Sequence, residues 1–240
     1  MRPDRGFATT HWSIVAQAAD GDTEQGRAAL AELCRAYWYP LYGFARRRGH
    51  TDEDAKDLTQ GFFAQLLRDG AIARADAARG RFRTYLLSMF DHFRAHEYAR
   101  ASRQKRGGGC AIVSLDALQQ AEARYQGEPA TTDSPERIFD QKWAMSLLEL
   151  SLDAVRHEYV AAGKGALFDE LREVLWGDGG NASYAEIARH LGSTEGAIKL
   201  AVYRLRQRFR QQVHAAVART LLRPEDVGEE LRYLLSTLGV

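Results

Sequence analysis

From Ser183 to Arg210 the chain reads SYAEIARHLGSTEGAIKLAVYRLRQRFR, and its apolar residues recur at helical spacing. Ile198, Val202, Leu205 and Phe209 fall at i, i+4, i+7 and i+11, which places them on one buried stripe of a helix. Ahead of that stripe, Ser183 and Glu186 form an S-x-x-E capping box that starts a shorter helix running through Leu191. Gly192 suits the turn between the two, and Ser193 or Thr194 caps the second helix. Few chain conformations satisfy all of these signals at once. A short helix, a tight glycine turn and a long amphipathic helix do.

The front of the second helix carries a different chemistry from its back. Roughly 100° round from the apolar stripe stand Lys199, Tyr203, Arg206 and Arg210, with Arg204 and Arg208 flanking from the other side. A helix that reads base edges in the major groove needs this division, an apolar back and a donor-rich front. The pattern predicts base contacts from Thr194, Glu195, Lys199 and Tyr203, and phosphate contacts from Arg204, Arg206 and Arg210. A helical hairpin with merely solvated arginines is the plainer alternative. The capping box, glycine turn and matched faces together favour a DNA-binding helix-turn-helix.

The rest of the chain is helical by the same criterion, with no convincing alternating strand pattern, so the expected fold class is all-α. Thr10 caps a short helix over HWSIVAQAA, ended by the turn residues DGD. EQGRAALAELCRAYWYPLYGFARRRG puts Leu30, Leu33, Tyr37, Leu41 and Phe44 on one face, and Pro40 is expected to kink or divide that helix. Gly49 closes it. Thr51 then caps HTDEDAKDLTQGFFAQLLRDG, with Asp54 at the third helical position and acids gathered where the helix dipole favours them. A long basic helix is expected from about Phe82 to Arg106, and Gly107 to Gly109 end it. The residues that follow are polar and weakly periodic, and read as a flexible linker carrying at most a turn of helix at SLDALQQAEARY. The expected organisation is an N-terminal extension over 1–20, a helical domain over 21–106, a linker over 107–134, a second helical domain with the helix-turn-helix over 135–222, and a helical tail over 223–240.

Composition excludes several classes. The 240 residues are 45% apolar and 27% charged, with no apolar run near the ~20 residues a membrane span needs. MRPDRGFATTHW lacks the apolar core of a signal peptide, which points to the cytosol. Cys34 and Cys110 have neither CxxC nor Cys/His zinc spacing and read as ordinary thiols. His92 and His96 stand four apart, but HFRAHE is not HExxH and no third ligand is near, so no metal is expected. With no phosphate loop, nucleophile elbow or paired carboxylates in an apolar setting, the chain is expected to be no enzyme, with no catalytic residue and no cofactor.

The formal net charge is only +1, yet its distribution is uneven. Arg79 to Arg106 holds seven Arg and one Lys against Asp91 and Glu97, a net of +6, and Thr194 to Arg210 holds four Arg and one Lys against Glu195, a net of +4. Asp116 to Glu149 has seven acids against three bases, and Thr51 to Asp57 four acids against Lys56, so −4 and −3. Each basic island is large enough to contact phosphates. The first mixes its cations with Phe82, Tyr85, Phe90, Phe93 and Tyr98. Rings among arginines are what single-stranded DNA binding uses, although core packing accounts for Leu86, Phe90 and Phe93 more simply.

Two motifs in order carry a family resemblance. Asp54-Ala55-Lys56-Asp57-Leu58-Thr59-Gln60-Gly61-Phe62-Phe63 is similar to D-A-E-D-L-V-Q-E-V-F, and Ser183 to Lys199 to S-Y-x-E-I-A-x-x-L-G-x-S-E-G-T-V-K. The chain therefore resembles the extracytoplasmic-function sigma factors of bacterial RNA polymerase over about 25–106 and 136–212. FATTHWSIV and EELRYLL further resemble the sigma variants abundant in planctomycete-like bacteria. Gly61 departs from the pattern, standing where the family has an acid.

The resemblance implies roles. It assigns Asp54, Asp57, Leu58, Gln60, Phe63 and Leu66 to the contact with core RNA polymerase. It assigns the proximal promoter element and melted strand to the loop from Arg74 to Arg81, Arg79 included, and to Phe82, Arg83, Tyr85, His92, Arg100 and Arg103. The helix-turn-helix would read the distal element as duplex, and the linker would thread the polymerase. A regulatory protein partner is compatible with this reading, but no segment of the sequence identifies one. A conventional regulator with an N-terminal effector domain, or a helical adaptor without nucleic acid, leaves the DEDAKDLTQGFF helix or the basic islands unexplained. The tail carries Val227, Leu231, Leu234, Leu235 and Leu238 with four acids. It is expected to pack on the second domain or, more pointedly, to cover a basic DNA-binding face, in which case deleting 224–240 raises promoter binding.

Overall fold

The computed structural model describes residues 13–19, 23–76, 81–101, 115–128, 132–176, 184–221 and 223–239. Among them there is no strand, so the fold is all-α. The helices are α1 (Ser13–Ala19), α2 (Glu24–Arg47), α3 (Asp52–Arg68), α4 (Phe82–Ala101), α5 (Leu115–Gln126), α6 (Pro135–Ala161), α7 (Gly165–Leu171), α8 (Tyr184–His190), α9 (Glu195–Ala218) and α10 (Val227–Leu238). Thr10, the Ser183 side of the capping box, the glycine run 107–109 and Cys110 lie outside the described residues.

Local signals start and stop these helices as their chemistry requires. α2 ends in a Schellman arrangement: Gly49, at φ +91°, donates to the Arg46 carbonyl, and His50 donates to that of Ala45. Thr51 then opens α3, its hydroxyl oxygen accepting from the Asp54 N–H at 3.2 Å. Pro40 neither divides α2 nor ends it. Every residue from Tyr37 to Ala45 is buried, and that packing outweighs the one backbone bond that proline removes.

The chain divides into two compact units, Met1–Ser146 with Val217–Val240, and Leu147–Ala216. The first unit therefore gathers more than the expected 21–106. At its centre Phe90 of α4 meets Phe44 of α2 edge-on at 6.1 Å and Phe62 of α3 at 5.2 Å. Tyr37 stacks on Trp143 of α6 at 6.0 Å and takes Phe82 edge-on at 5.7 Å. Val227 and Leu234 of α10 are also buried. The tail thus lies in the first unit, where α10 meets Arg81 and Arg83 and also Asp140 and Gln141 of α6, the last two within the span expected as the second domain. Its apolar stripe marked it for packing but did not name the surface.

The span expected as a linker contains the twelve-residue α5, with more order than a single turn. Glu122 of α5 accepts from Arg46 at 2.8 Å and from the Tyr42 hydroxyl at 2.5 Å, and the Arg46 guanidinium lies 4.8 Å from the Tyr125 ring centre. These partners come from α2, far away in sequence, so no local pattern could announce them. Two close approaches shape the same unit. Lys142 of α6 lies across Gly43, where even a methyl group would overlap its chain, and its ammonium reaches Glu128. Burial lowers the Lys142 pKa, and Glu128 opposes the shift. Phe93 meets Gly61 so closely that an added Cβ would stand 3.3 Å from the ring. The glycine that departs from the family motif thus makes room for an aromatic side chain of α4.

Cys34 is buried in α2, and burial pushes its thiol up to about 12. The thiolate is the reactive form, so iodoacetamide at neutral pH is expected to leave Cys34 unmodified in the native protein and to label it after denaturation. Peptide mass spectrometry reads this directly, and rapid native labelling would contradict the burial.

The second unit has its own core. Val155, Phe168, Leu171, Val174 and Leu175 pack with Ile187 and Ala188 of α8 and with Ile198, Val202 and Leu205 of α9. The predicted apolar stripe is therefore buried, with Phe209 partly buried against Trp176 at 5.2 Å.

Candidate nucleic-acid interface

α3 separates its acids from its core. Ala55, Thr59, Phe62, Phe63 and Leu66 are buried, while Glu53, Asp54 and Asp57 are exposed and Leu58 and Gln60 half-buried. Phe63 and Leu66, expected at a protein contact, face inward; their place in the motif reflects the packing that orients α3. Asp52 also turns inward, 2.9 Å from the Tyr42 hydroxyl and 2.8 Å from Lys56. Burial pushes its carboxyl up, but bonds from Lys56 and Tyr42 and the Lys56 and Arg46 charges outweigh that and hold it below the usual range. Glu53, Asp57, Gln60, Ala64 and Leu67 share one helical face. Leu67, exposed at the end of that stripe, escaped the sequence reading, although counting onward from Asp57 in steps of three and four finds it.

The start of α4 differs more from expectation. Phe82 is buried beneath Tyr37 and is not free to stack on a base. Arg83 is only 4% exposed: its Nε donates to Asp140 at 2.8 Å, a second nitrogen donates to Glu230, and its guanidinium lies 5.0 Å from the Trp143 ring centre. Arg81, half-buried, pairs through Nε with the other Glu230 oxygen at 2.8 Å. Tyr85 is half-buried, and its hydroxyl donates to the Ala71 carbonyl at 2.9 Å. Arg74 and His92 are exposed. Arg100 lies on helical backbone, but its side chain, Arg79 and Arg103 are outside the described residues.

α8 and α9 are joined by a turn whose geometry follows from Gly192. At φ +59° it closes α8, donating to the Arg189 carbonyl while Ser193 donates to that of Ala188. Thr194 is the cap of α9, accepting from the Ala197 N–H at 3.2 Å. Thr194, Glu195, Lys199, Tyr203, Arg204 and Arg210 are all exposed, Tyr203 to 60%. Lys199 and Glu195 pair at 2.7 Å, and the bond to that carboxylate raises the lysine's pKa. Arg206 is placed differently from its neighbours. Its guanidinium turns back to donate to the carbonyls of Val174 and Leu175 at 2.8 and 3.2 Å, fastening α9 to the end of the preceding turn. Arg208 makes two 2.6 Å bonds to Glu158. Leu200 is 48% exposed between Lys199 and Tyr203, an apolar side chain on the otherwise polar front of α9.

Among the described residues no three potential metal ligands stand together, and no helix is long and apolar enough to cross a membrane. What these surfaces offer is charge, hydrogen-bond donors and exposed rings. That chemistry suits the capture of a polymer.

Residues 33–104 match sigma-70 region 2. The matched segment takes in most of α2, all of α3 with its acidic stripe, and α4 with its arginines. That segment, under a third of the chain, is similar to a region of the sigma-70 family of sigma factors. Sigma factors are transcription initiation factors, not enzymes. No curated protein and no solved structure matches the chain. α8 and α9 lie beyond the sigma-70 region 2 match, so their reading rests on their own geometry.

Proposed function

We propose that this chain is a sigma factor of the extracytoplasmic-function type, acting in the cytoplasm, that directs core RNA polymerase to a two-part promoter and helps open the DNA. The observation that carries the reading is the coincidence of the sigma-70 region 2 match with a helix whose acids stand out from a buried apolar face. Asp54, Asp57, Leu58 and Gln60 would meet the polymerase, joined by Leu67, while Phe63 and Leu66 hold α3 in place from beneath. Arg74, Tyr85 and His92 are the accessible members of the group proposed for the proximal element and melted strand.

The distal element falls to a helix-turn-helix made by α8 and α9. Thr194, Glu195, Lys199 and Tyr203 are presented where base edges would be read, and Arg204 and Arg210 where phosphates would lie. Leu200 adds an apolar contact of the kind that a thymine methyl accepts. The same reading keeps the expected division into a polymerase-binding N-terminal domain, a linker and a DNA-reading C-terminal domain. It also carries the likeness to the sigma variants of planctomycete-like bacteria.

Arg204 and Arg206 separate the roles on α9. Arg204→Ala is expected to flatten the salt dependence of duplex binding by about 0.9 in the log–log slope, the loss of one phosphate contact. Arg206→Ala is expected to leave that slope alone and to lower the stability of the second unit by about 1–2 kcal/mol, having lost two charge-assisted bonds to carbonyls. Filter binding across a salt series and thermal unfolding measure the pair.

The deciding experiment is transcription by bacterial core polymerase, with and without the chain, on a library of random upstream sequences. Transcripts that require the protein and share a two-part upstream motif support the proposal. A chain that neither binds core polymerase nor alters start sites refutes it, and operator binding without polymerase would favour a conventional regulator.

A further inference from the structure

The first unit contains a buried carboxylate that region 2 does not supply. Glu230, on α10, is 1% exposed, and a carboxylate removed from water needs cationic partners. It has two. Arg83 donates to one oxygen, and Arg81 lies 2.8 Å from the other. The same helix adds Tyr233, whose ring centre stands 5.3 Å from the Arg81 guanidinium and 5.2 Å from that of Arg83. The Tyr233 hydroxyl donates to Asp140 at 2.5 Å, and Asp140 also takes Arg83. Gln141 of α6 donates to the Thr237 carbonyl at 2.8 Å, so α10 is held at both ends of its contact. Two guanidiniums at the start of α4 are thus met by one carboxylate and one aromatic ring.

A carboxylate between guanidiniums with a ring laid over them reproduces what a strand of nucleic acid offers, a phosphate and a base. We infer that α10 is an intramolecular occupant of the strand-binding face of α4: Glu230 sits where a backbone phosphate would, Tyr233 where a base would, and nucleic acid must displace the helix to take both Arg81 and Arg83. The inference rests on the proposed sigma function for the identity of the competitor, and on these contacts for the mechanism. The structure keeps the competition balanced. α10 is twelve residues long and keeps Tyr233 and Leu235 partly or largely in solvent, so its seating depends on Val227, Leu234 and the Glu230 pairs. Arg81 is already 38% exposed, a place for an incoming phosphate to begin. The free chain is therefore held silent at this face by its own C-terminal helix, and a strand or partner that takes the arginines releases it.

The test uses the full chain with a fluorescein-labelled thymidine oligonucleotide, its affinity read by anisotropy across a salt series. Glu230→Gln removes the charge and keeps the shape. It is expected to bind roughly tenfold more tightly, the gain when a face open about a tenth of the time becomes fully open. Its log–log salt slope should steepen by about 0.7, one extra phosphate contact on a single strand. Asp140→Asn combined with Glu230→Gln frees Arg83 as well, and the slope should steepen by about 1.4. Thermal melts establish that each variant is folded. The wild-type chain gives a second readout that needs no variant: saturating oligonucleotide should speed amide hydrogen exchange across 227–238. Folded variants with unchanged affinity and slope overturn the inference, as does exchange in α10 that stays constant or slows with oligonucleotide. Failure of every form to bind the oligonucleotide overturns it too. Capture of core polymerase, measured separately through α3, tells whether the sigma reading falls with it.

Discussion

Asp54→Lys with Asp57→Lys is expected to abolish capture of core RNA polymerase while leaving the melting temperature within a few degrees of wild type. Both carboxylates are exposed on α3 and stand apart from the pairs that tie Asp52 to Tyr42 and Lys56; Asp54 accepts only the local bond from the Thr51 hydroxyl at 2.8 Å. Surface changes away from such pairs shift stability by about half a kcal/mol or less, so folding should survive. Lysine at position 54, in the first turn, opposes the helix dipole and adds at most about 1 kcal/mol, whereas position 57 lies beyond that turn. At an interface the arithmetic differs. If α3 meets the polymerase as proposed, two reversals place like charges against a surface complementary to acids, and each such juxtaposition costs several kcal/mol of binding. Pull-down of core polymerase and a melt on the same protein measure both quantities. Retained capture would move the polymerase contact off α3. A lost melt would show that Asp54 or Asp57 holds the fold.

Phe90→Ala is expected to have the largest effect on stability. The ring is fully buried and meets Phe44 and Phe62, so it is where α2, α3 and α4 come together. Truncating a buried phenylalanine costs about 3–5 kcal/mol, from the lost transfer of the ring and the cavity left behind. For a unit of this size that lowers the melting temperature by roughly 10 °C. Polymerase capture should fall in parallel at raised temperature, because α3 presents its acids from this support. Phe90→Leu, which fills most of the volume, should recover most of the loss. Differential scanning calorimetry of the three proteins distinguishes a packing role from a contact role, since a ring that touched polymerase directly would impair capture without moving the melt.

Helices were legible in the sequence because their signals are local. Thr51 and Asp54, Gly49, Gly192 and Thr194 each act within four residues, and the stripe Ile198, Val202, Leu205 needs only the helical period. What could not be read locally was which cations were already taken. Arg83 and Arg204 look alike in a string of letters. Yet Arg83 lies between Asp140 and Glu230, 57 and 147 residues away, and Arg204 is exposed. Arg206 likewise spends its donors on carbonyls of a turn 31 and 32 residues earlier. Phe63 and Leu66 are a related case, buried on the inner side of α3, since a motif records which residues recur and not which side of the helix they face. Pro40 and α5 depended on tertiary burial, to which propensity is blind.

The Tyr42 phenol stands between two carboxylates, 2.5 Å from Glu122 of α5 and 2.9 Å from Asp52 at the start of α3. A phenol has one proton to give, so the two acceptors share a single donor. Burial, with both carboxylates beside it, pushes the phenol well above its ordinary range, and it remains a donor. The acidic helix and the segment that follows α4 are therefore thermodynamically linked through one hydrogen atom. Drawing α5 away would return the whole bond to Asp52 and tighten the first turn of α3. By reciprocity, whatever engages that turn must alter how firmly α5 stays docked.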